Sequence, residues 1–176
     1  MGNPKALPES NLMDDIMSYS GRIFRICLGF TKNPWEAEEL MQEVYVRAIR
    51  KIGTLKDPSR WREWLIRIAR NACLNHLNKQ SLHRIFLAKT SRDPVEPNSP
   101  ECHLIWKEQN QALKRAVSRL PRKQREVLIL KYYGDLSCAE IAAARGIKEG
   151  TVLSRLDRAR ESLRAQLEEI HHEKSK

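Results

Sequence analysis

Residues 134–160 read GDLSCAEIAAARGIKEGTVLSRLDRAR and predict two short helices joined by a tight turn. The start of the first helix is marked by Ser137, a good N-cap, and by Glu140, which stands where a capping box places it. Leu136 can also pack as a staple onto Ile141. Together these signals are typical of a helix-turn-helix.

Two glycines bound this first helix. Gly134 is expected to end the preceding helix, and Gly146 to turn the chain after Arg145, because glycine adopts a positive φ without steric cost. A pair of ordinary surface helices is the weaker interpretation, since it explains neither the caps nor the glycine spacing.

The second helix, beginning near Gly150, has one apolar side and one polar side. Its apolar side carries Val152, Leu156, Ala159 and Leu163 at helical spacing. Hydroxyl and guanidinium groups on the other side suit reading of bases and phosphates in the major groove. The candidate DNA-contacting residues are Thr151, Ser154, Arg155 and Arg158, with Leu153 and Arg160 at the margins.

The composition favours an all-α protein of two small helical domains. The 176 residues are poor in glycine and aromatic side chains, and they carry a net charge of +10. Residues 1–90 have a net charge of +6 and residues 101–176 of +5, so both halves are basic. Two basic halves favour a nucleic-acid partner over a charge that only maintains solubility.

The N-terminal half predicts three helices after a loose leader over residues 1–11. Apolar periodicity indicates a helix over 12–30, interrupted by Gly21. Asn33 and Pro34 start a second helix that runs to about Lys51, with Leu40 on its buried side. A loop over residues 53–59 leads to a third helix, which opens near Arg60 and continues to about Lys79.

The third helix is apolar over most of its surface and must be largely buried. Its exposed arc carries arginine and asparagine without a compensating row of acids, a pattern that suits phosphate and base contacts. Trp61 and Trp64 fit a core position better than a base-stacking platform, although a tryptophan at the loop edge could stack on an unpaired base.

A proline-rich segment separates the two halves. Pro94, Pro97 and Pro100 exclude a helix and favour an extended connection, so we place a linker at 91–100. The predicted domains are residues 12–90 and 101–170, with a tail at 171–176. Helix is expected over 101–120, and Pro121 starts another helix.

Three blocks of this sequence resemble one protein family. The segments AEELMQEVYVRA, WREWLIRIARNACLNHL and LPRKQREVLILKYYGDLSCAEIAAARGIKEGTVLSRLDRARESLR are similar, in this order, to bacterial sigma factors of the extracytoplasmic-function (ECF) group of the sigma-70 family. The resemblance spans residues 12–90 and 101–167. It implies a subunit that binds core RNA polymerase, directs promoter recognition, melting and transcription initiation, and is restrained by an anti-sigma factor.

The resemblance also implies residue roles. The core polymerase would be bound by Glu39, Leu40, Gln42, Glu43 and Tyr45. The minus-ten region would be bound by Arg60, Trp61, Arg67, Arg70, Asn71 and Asn75, with a flipped base held by the 51–60 loop. The upstream, minus-thirty-five box would be read by Thr151, Leu153, Ser154, Arg155, Arg158 and Arg160. Leu153 departs from the family, which commonly has lysine there, so the promoter sequence does not transfer from relatives.

Two other functions fit parts of the sequence. A free-standing helix-turn-helix regulator would need to dimerise on paired half-sites, and no dimerisation helix is evident. A nucleic-acid-processing enzyme would need a catalytic cluster, and the sequence shows no paired nucleophile and base, phosphate-cradling glycine loop or metal motif. We therefore expect a non-enzymatic protein without cofactor. With no signal peptide or membrane-spanning segment evident and four dispersed cysteines, it is expected in the cytoplasm.

Overall fold

The computed structural model describes residues 9–90 and 109–174 and contains no strand within them. The N-terminal domain consists of four helices: α1 (Glu9–Ser18), α2 (Ser20–Thr31), α3 (Pro34–Lys51) and α4 (Trp61–Thr90). The C-terminal domain consists of α5 (Gln109–Arg119), α6 (Arg122–Tyr132), α7 (Cys138–Arg145) and α8 (Glu149–Lys174). The all-α, two-domain prediction is confirmed. The predicted linker at 91–100 lies outside the described residues, as do most of the leader and the first part of the helix expected over 101–120.

The N-terminal helices begin close to the predicted positions, but α4 continues to Thr90, beyond the end predicted near Lys79. Asn33 caps α3 by accepting a hydrogen bond from the Trp35 amide (3.0 Å), and Pro34 occupies the first turn. The break between α1 and α2 falls at Tyr19, not at Gly21, which lies inside α2. The predicted loop before α4 contains two short 3₁₀ turns, Ile52–Thr54 and Pro58–Arg60.

The capping box of the helix-turn-helix is present. The Glu140 amide donates to the Ser137 hydroxyl (3.1 Å), and the Ser137 amide donates to the Glu140 carboxylate (2.7 Å). Partial burial acts to raise the pKa of Glu140, but the hydrogen bonds from Ser137 outweigh it and hold this pKa below its usual range. The carboxylate therefore stabilises the start of α7 above its ordinary pKa, and this contribution is lost as the pH falls through the lowered value.

Of the two glycines expected to adopt a positive φ in the turns around α7, only Gly146 does so. Gly146 ends α7 with a φ of 63°, as predicted. Before α7, the positive φ belongs to Asp135 (50°), so the conformational role assigned to Gly134 is wrong. Gly134 is instead packed tightly: a Cβ there would lie 2.7 Å from the Leu130 carbonyl oxygen and 2.9 Å from Ile26.

One hydrophobic core extends through both domains. In the N-terminal domain α2, α3 and α4 pack on one another, and in the C-terminal domain α5, α6 and α7 pack on α8. The two domains meet where α2 contacts α6 and where α4 contacts α7. Gly29 of α2 lies at this interface, and a Cβ there would come within 2.6 Å of Ile129 and 2.8 Å of Tyr133. The side chains of Ile129 and Tyr133 thus pack directly on the α2 backbone at Gly29.

Among the described helices, none combines the length and the apolar character required to cross a membrane.

Replacing Ser137 by alanine should lower the free energy of unfolding by about 1 kcal/mol, because the α7 amide then loses its side-chain partner. Urea denaturation of the full chain followed by circular dichroism measures this change. Ser118→Ala is the control, since the exposed Ser118 hydroxyl only donates to a carbonyl in its own helix. Equal midpoints for the two variants would contradict the capping role.

Candidate nucleic-acid interface

Helix α8 presents a polar side between two margins. Val152, Leu156 and Ala159 are buried, as predicted, while Ser154 and Arg158 are exposed. At about 100° per residue, Ser154 and Arg158 lie at the middle of the exposed side. Thr151 and Arg155 occupy one margin and are half-buried, and Leu153 and Arg160 occupy the other and are exposed.

The two margins of α8 differ in how freely their arginines can move. Arg160 is held in place: its Nε and Nη2 donate to the Tyr132 hydroxyl (3.1 and 3.0 Å), and its Nη1 pairs with Asp157. On the other margin, Nη1 of Arg155 is buried with no hydrogen-bond partner among the described residues. Of the three candidate arginines on this described helix, Arg158 alone is exposed and has no ion pair.

Helix α4 carries the predicted polar stripe. Arg67, Asn71 and Asn75 are exposed along one side of the helix, next to the domain interface. Arg70 stands at the edge of this stripe and is turned toward the C-terminal domain. Its Nη1 donates to Asn71 (2.8 Å), and its Nε donates to Glu126 of α6. Arg67 and Asn75 are thus open to a ligand, Asn71 is exposed but accepts a hydrogen bond from Arg70, and Arg70 itself is engaged with the C-terminal domain.

The base-contact role assigned to Trp61 is wrong for this arrangement. Its side chain is 4% exposed and packs edge-on against Tyr19, with ring centroids 5.3 Å apart. The ring fixes the start of α4 to the junction of α1 and α2. Arg60, the residue before it, is exposed.

The segment between α3 and α4 is shaped by one aspartate. Asp57 accepts hydrogen bonds from the amide (3.0 Å) and the hydroxyl (2.7 Å) of Ser59, which together hold the pKa of its carboxyl below the usual range. Lys51, Lys56 and Arg60 are exposed around this turn. The segment is therefore a structured, predominantly basic turn beside the start of α4.

Helix α3 has an exposed side that combines acidic and apolar residues. Glu39, Gln42 and Glu43 are exposed, as predicted, and Glu43 pairs with Arg47 at 2.5 Å. The sequence interpretation missed the large apolar residues on the same helix: Trp35, Val46 and Ile49 are 70%, 46% and 55% exposed. Val46 and Ile49 follow Gln42 by four and seven residues, so helical periodicity alone could have placed them on its side.

Two residues assigned to the α3 surface belong to the core. Leu40 is 3% exposed and Tyr45 is 8% exposed, so their placement on an exposed docking face is wrong. The Tyr45 hydroxyl donates to the Ile16 carbonyl (3.1 Å), and burial, with a smaller effect of Cys27, raises the pKa of Tyr45 to about 12. Both side chains anchor α3 in the N-terminal core.

The sequence interpretation also missed a charged cluster at the domain interface. Glu126 of α6 is 2% exposed, and its carboxylate pairs with Arg70 of α4 and with Arg145 of α7, the latter at 2.5 Å. Arg155 lies near enough to act on Arg145: burial, with Arg70 and Arg155, lowers the pKa of Arg145, and Glu126 opposes this effect. Two guanidinium groups, one from each domain, thus pair with one buried carboxylate, and the net charge of this group of three is positive.

Comparison with known proteins gives a consistent family. The family model of Sigma-70 region 2 matches residues 16–83, and that of Sigma-70 region 4 matches residues 110–163. The ECF RNA polymerase sigma factor SigW of Bacillus subtilis is 30% identical over 166 residues, which cover 89% of either chain. This chain belongs to the ECF sigma factors.

Other relatives agree with this membership. The ECF sigma factor SigL of Mycobacterium tuberculosis is 31% identical over 154 residues, 84% of each chain. Among solved structures, the sigma factor RpoE of Bartonella quintana, in complex with the anti-sigma factor NepR, aligns with a TM-score of 0.67 at 23% identity. That alignment covers 90% of this chain and 98% of the RpoE chain, so the two share a fold.

The resemblance stated from the sequence is therefore confirmed. Sigma factors are non-enzymatic initiation factors, and this sigma factor directs promoter-specific transcription initiation together with core RNA polymerase and promoter DNA. The helix-turn-helix accordingly belongs to a sigma factor and not to a free-standing regulator.

Replacing Arg158 by alanine should weaken binding of the holoenzyme to duplex promoter DNA about tenfold, since one base or phosphate contact contributes about 1–3 kcal/mol. Gel shift with the sigma factor bound to core polymerase measures this loss. Arg119→Ala removes the same charge from an exposed position on α5 and should leave DNA affinity unchanged. An equal loss in both variants would show that overall charge, and not the position on α8, matters.

Proposed function

We propose that three helix faces of this sigma factor each bind a different partner during initiation: the upstream box, the minus-ten region and core polymerase. The exposed side of α8 reads the upstream box as duplex, the stripe on α4 with the 51–60 turn engages the opened minus-ten region, and the outer side of α3 docks on core polymerase. The observation that carries this proposal is the placement of two exposed polar and basic helix sides on separate domains of one ECF sigma factor. On this proposal residues 12–90 and 101–170 are the functional domains.

The proposed upstream-box contact rests on the exposed middle of α8. Arg158 can fork onto a guanine, and Ser154 can hold a phosphate or a base edge. Leu153 is 47% exposed and offers an apolar contact to a thymine methyl group in place of a charged contact. Thr151, Arg155 and Arg160 stand at the margins, where phosphate contacts position a recognition helix.

The proposed minus-ten contact rests on the side chains that face solvent beside the basic turn. Arg67, Asn71 and Asn75 can bind phosphates and the edges of unpaired bases, and Arg60 extends the surface toward the 51–60 segment. Opening the duplex costs a few kcal/mol for each unstacked base, and contacts made only with the open strand offset this cost. With Trp61 in the core, base capture falls to the turn itself.

The proposed polymerase contact is the outer side of α3. Glu39, Gln42 and Glu43 supply charge and hydrogen-bonding groups, while Val46 and Ile49 supply exposed apolar surface. Apolar anchors surrounded by polar groups are typical of protein–protein interfaces. Leu40 and Tyr45 support this surface from beneath.

Further partners and the place of action follow from the family. One solved neighbour, RpoE, is a sigma factor bound to the anti-sigma factor NepR, and another, CnrH, is bound to the cytosolic domain of CnrY. We extend restraint by an anti-sigma factor to this chain. On this proposal the chain acts with RNA polymerase in the cytoplasm. The chemistry of transcription belongs to the polymerase, so the chain itself is not an enzyme.

The overall test is reconstituted transcription. The purified chain added to bacterial core polymerase should produce transcripts that start at defined sites on genomic DNA fragments, and core polymerase alone should not. Mapping the starts yields the promoter sequence. Tight, polymerase-independent binding of the chain to an operator, without any effect on initiation, would contradict the proposal.

Reversing the charge at Glu43 should impair docking on core polymerase, because Glu43 lies on the proposed contact side of α3. Glu43→Lys is expected to lower the affinity for core polymerase about tenfold, as loss of a strong interface contact does. Co-purification or fluorescence anisotropy measures it. Glu161→Lys, an exposed charge reversal on α8, is the control, and unchanged affinity in Glu43→Lys would remove α3 from the docking surface.

A further inference from the structure

An acidic side chain lies among the proposed base contacts of α8. Asp157 is exposed and is not one of the residues proposed above to bind DNA. At about 100° per residue, it lies about 60° around the helix from Ser154, on the side away from Arg158. It therefore belongs to the exposed side that the proposed function turns toward duplex DNA. A carboxylate in this position is repelled by the phosphates, so its place on this side is favourable only if a base offers it a hydrogen-bond donor.

The Asp157 carboxylate is held in position from α6. Its Oδ1 accepts a hydrogen bond from Nη1 of Arg160 at 3.1 Å. The same guanidinium donates from Nε and Nη2 to the Tyr132 hydroxyl, at 3.1 and 3.0 Å. Tyr132 is the last residue of α6, so the guanidinium connects two helices of one domain. Because the carboxylate is already ordered by these contacts, it loses less conformational entropy when it binds a ligand.

The second oxygen of Asp157 is available to a ligand. Its Oδ2 accepts no hydrogen bond from the described residues, and the side chain is 70% exposed. Leu153 precedes Asp157 by four residues, where a cationic side chain would pair with the carboxylate. Since leucine cannot do so, Oδ2 remains without a partner on its own helix.

The chemistry of a free carboxylate oxygen selects one base. An ionised carboxylate only accepts hydrogen bonds, so it needs a donor on the base edge. In the major groove, cytosine presents its N4 amino group, whereas adenine presents an amino group beside the acceptor N7. Guanine presents acceptors alone and thymine an acceptor with a methyl group. The favoured partner is therefore the amino group of cytosine.

We infer that Asp157 is a specificity-determining residue that selects cytosine at one position of the upstream box, with Arg160 and Tyr132 as its positioning residues. The cytosine amino group donates to Oδ2 while Oδ1 stays with Arg160. This inference rests on the proposed function, in which α8 reads the upstream box as duplex.

The test is a binding selection with holoenzyme formed from the full chain and core polymerase. The probe is a pool of duplexes that keeps the minus-ten region of a start site mapped for the wild type and is randomised over the upstream box. Sequencing of the bound DNA should show that wild type prefers cytosine about tenfold at one position, the discrimination that a good base contact supplies. Asp157→Ala should lose this preference and retain the preferences at the other positions.

Glu161→Ala is the matched control, because it removes the same charge from an exposed position one turn further along α8. Loss of a negative charge should tighten binding to a duplex of mixed sequence in both variants, but only Asp157→Ala should change the selected sequence. Tyr132→Phe removes the hydroxyl that holds Arg160 and should reduce the cytosine preference about threefold, as loss of one hydrogen bond does. Tyr133→Phe, at the next residue, controls for the lost hydroxyl.

Loss of the cytosine preference in Asp157→Ala, with the preference retained in Glu161→Ala, supports the inference. Selection by Asp157→Ala that is unchanged, or a preference for another base at the affected position, would overturn it and leave the proposed role of α8 intact. A wild-type holoenzyme that selects no upstream sequence would instead count against the role of α8 itself, and the inference would fall with it.

Discussion

A single buried carboxylate joins the two domains of this sigma factor. Glu126 is almost fully withdrawn from water, and an isolated charge in that position would be strongly destabilising. It is tolerated because Arg70 approaches from α4 and Arg145 from α7. In buried pairs of this kind, removing one partner typically costs about 3–5 kcal/mol, since the remaining charge is left without compensation. The relative position of the domains is thus fixed by a group whose partners come from both of them.

This constraint links the fold to DNA binding through α4. The helix buries Leu65, Ile66 and Ala69 in the N-terminal core and exposes Arg67, Asn71 and Asn75. Arg70 lies between these two environments. Helix α4 therefore contributes residues to the core, to the proposed DNA surface and to the domain interface. Inserting or deleting one residue in α4 would turn the following side chains by about 100° and disturb all three.

Features of the fold that depend on neighbouring residues could be predicted from the sequence. The caps at Asn33 and Ser137 and the turn at Gly146 follow from hydrogen-bonding groups a few residues apart, and all three are present. Asp135 was missed because a positive φ is less common for aspartate than for glycine, and Gly134 stood next to it. The bounds of the 3₁₀ turns depend on packing that no local pattern reveals.

The site could be predicted only where exposure follows from helical periodicity. Ser154 and Arg158 on α8 and Gln42 and Glu43 on α3 lie where the spacing put them. Leu40 shows the opposite case, because the apolar spacing already placed it on the buried side and the resemblance then assigned it to a partner.

Contacts across the domain interface could be predicted neither from local capping patterns nor from helical periodicity. Glu126 and Arg70 are 56 residues apart in sequence, and neither carries a local signal of the other. The close packing of Gly29 against Ile129 and Tyr133 also has no signature in the sequence. A glycine inside a helix normally indicates lower helix stability, and it does not by itself indicate a contact with another domain.

The location of α3 has a consequence for the proposed contact with core polymerase. Its outer side, with Gln42, Val46 and Ile49, is exposed while the domains are packed together, and α3 packs mainly on α2 and α4, away from α6 and α7. On the proposed docking role of α3, core polymerase therefore contacts the N-terminal domain without displacing the C-terminal domain from α2 and α4.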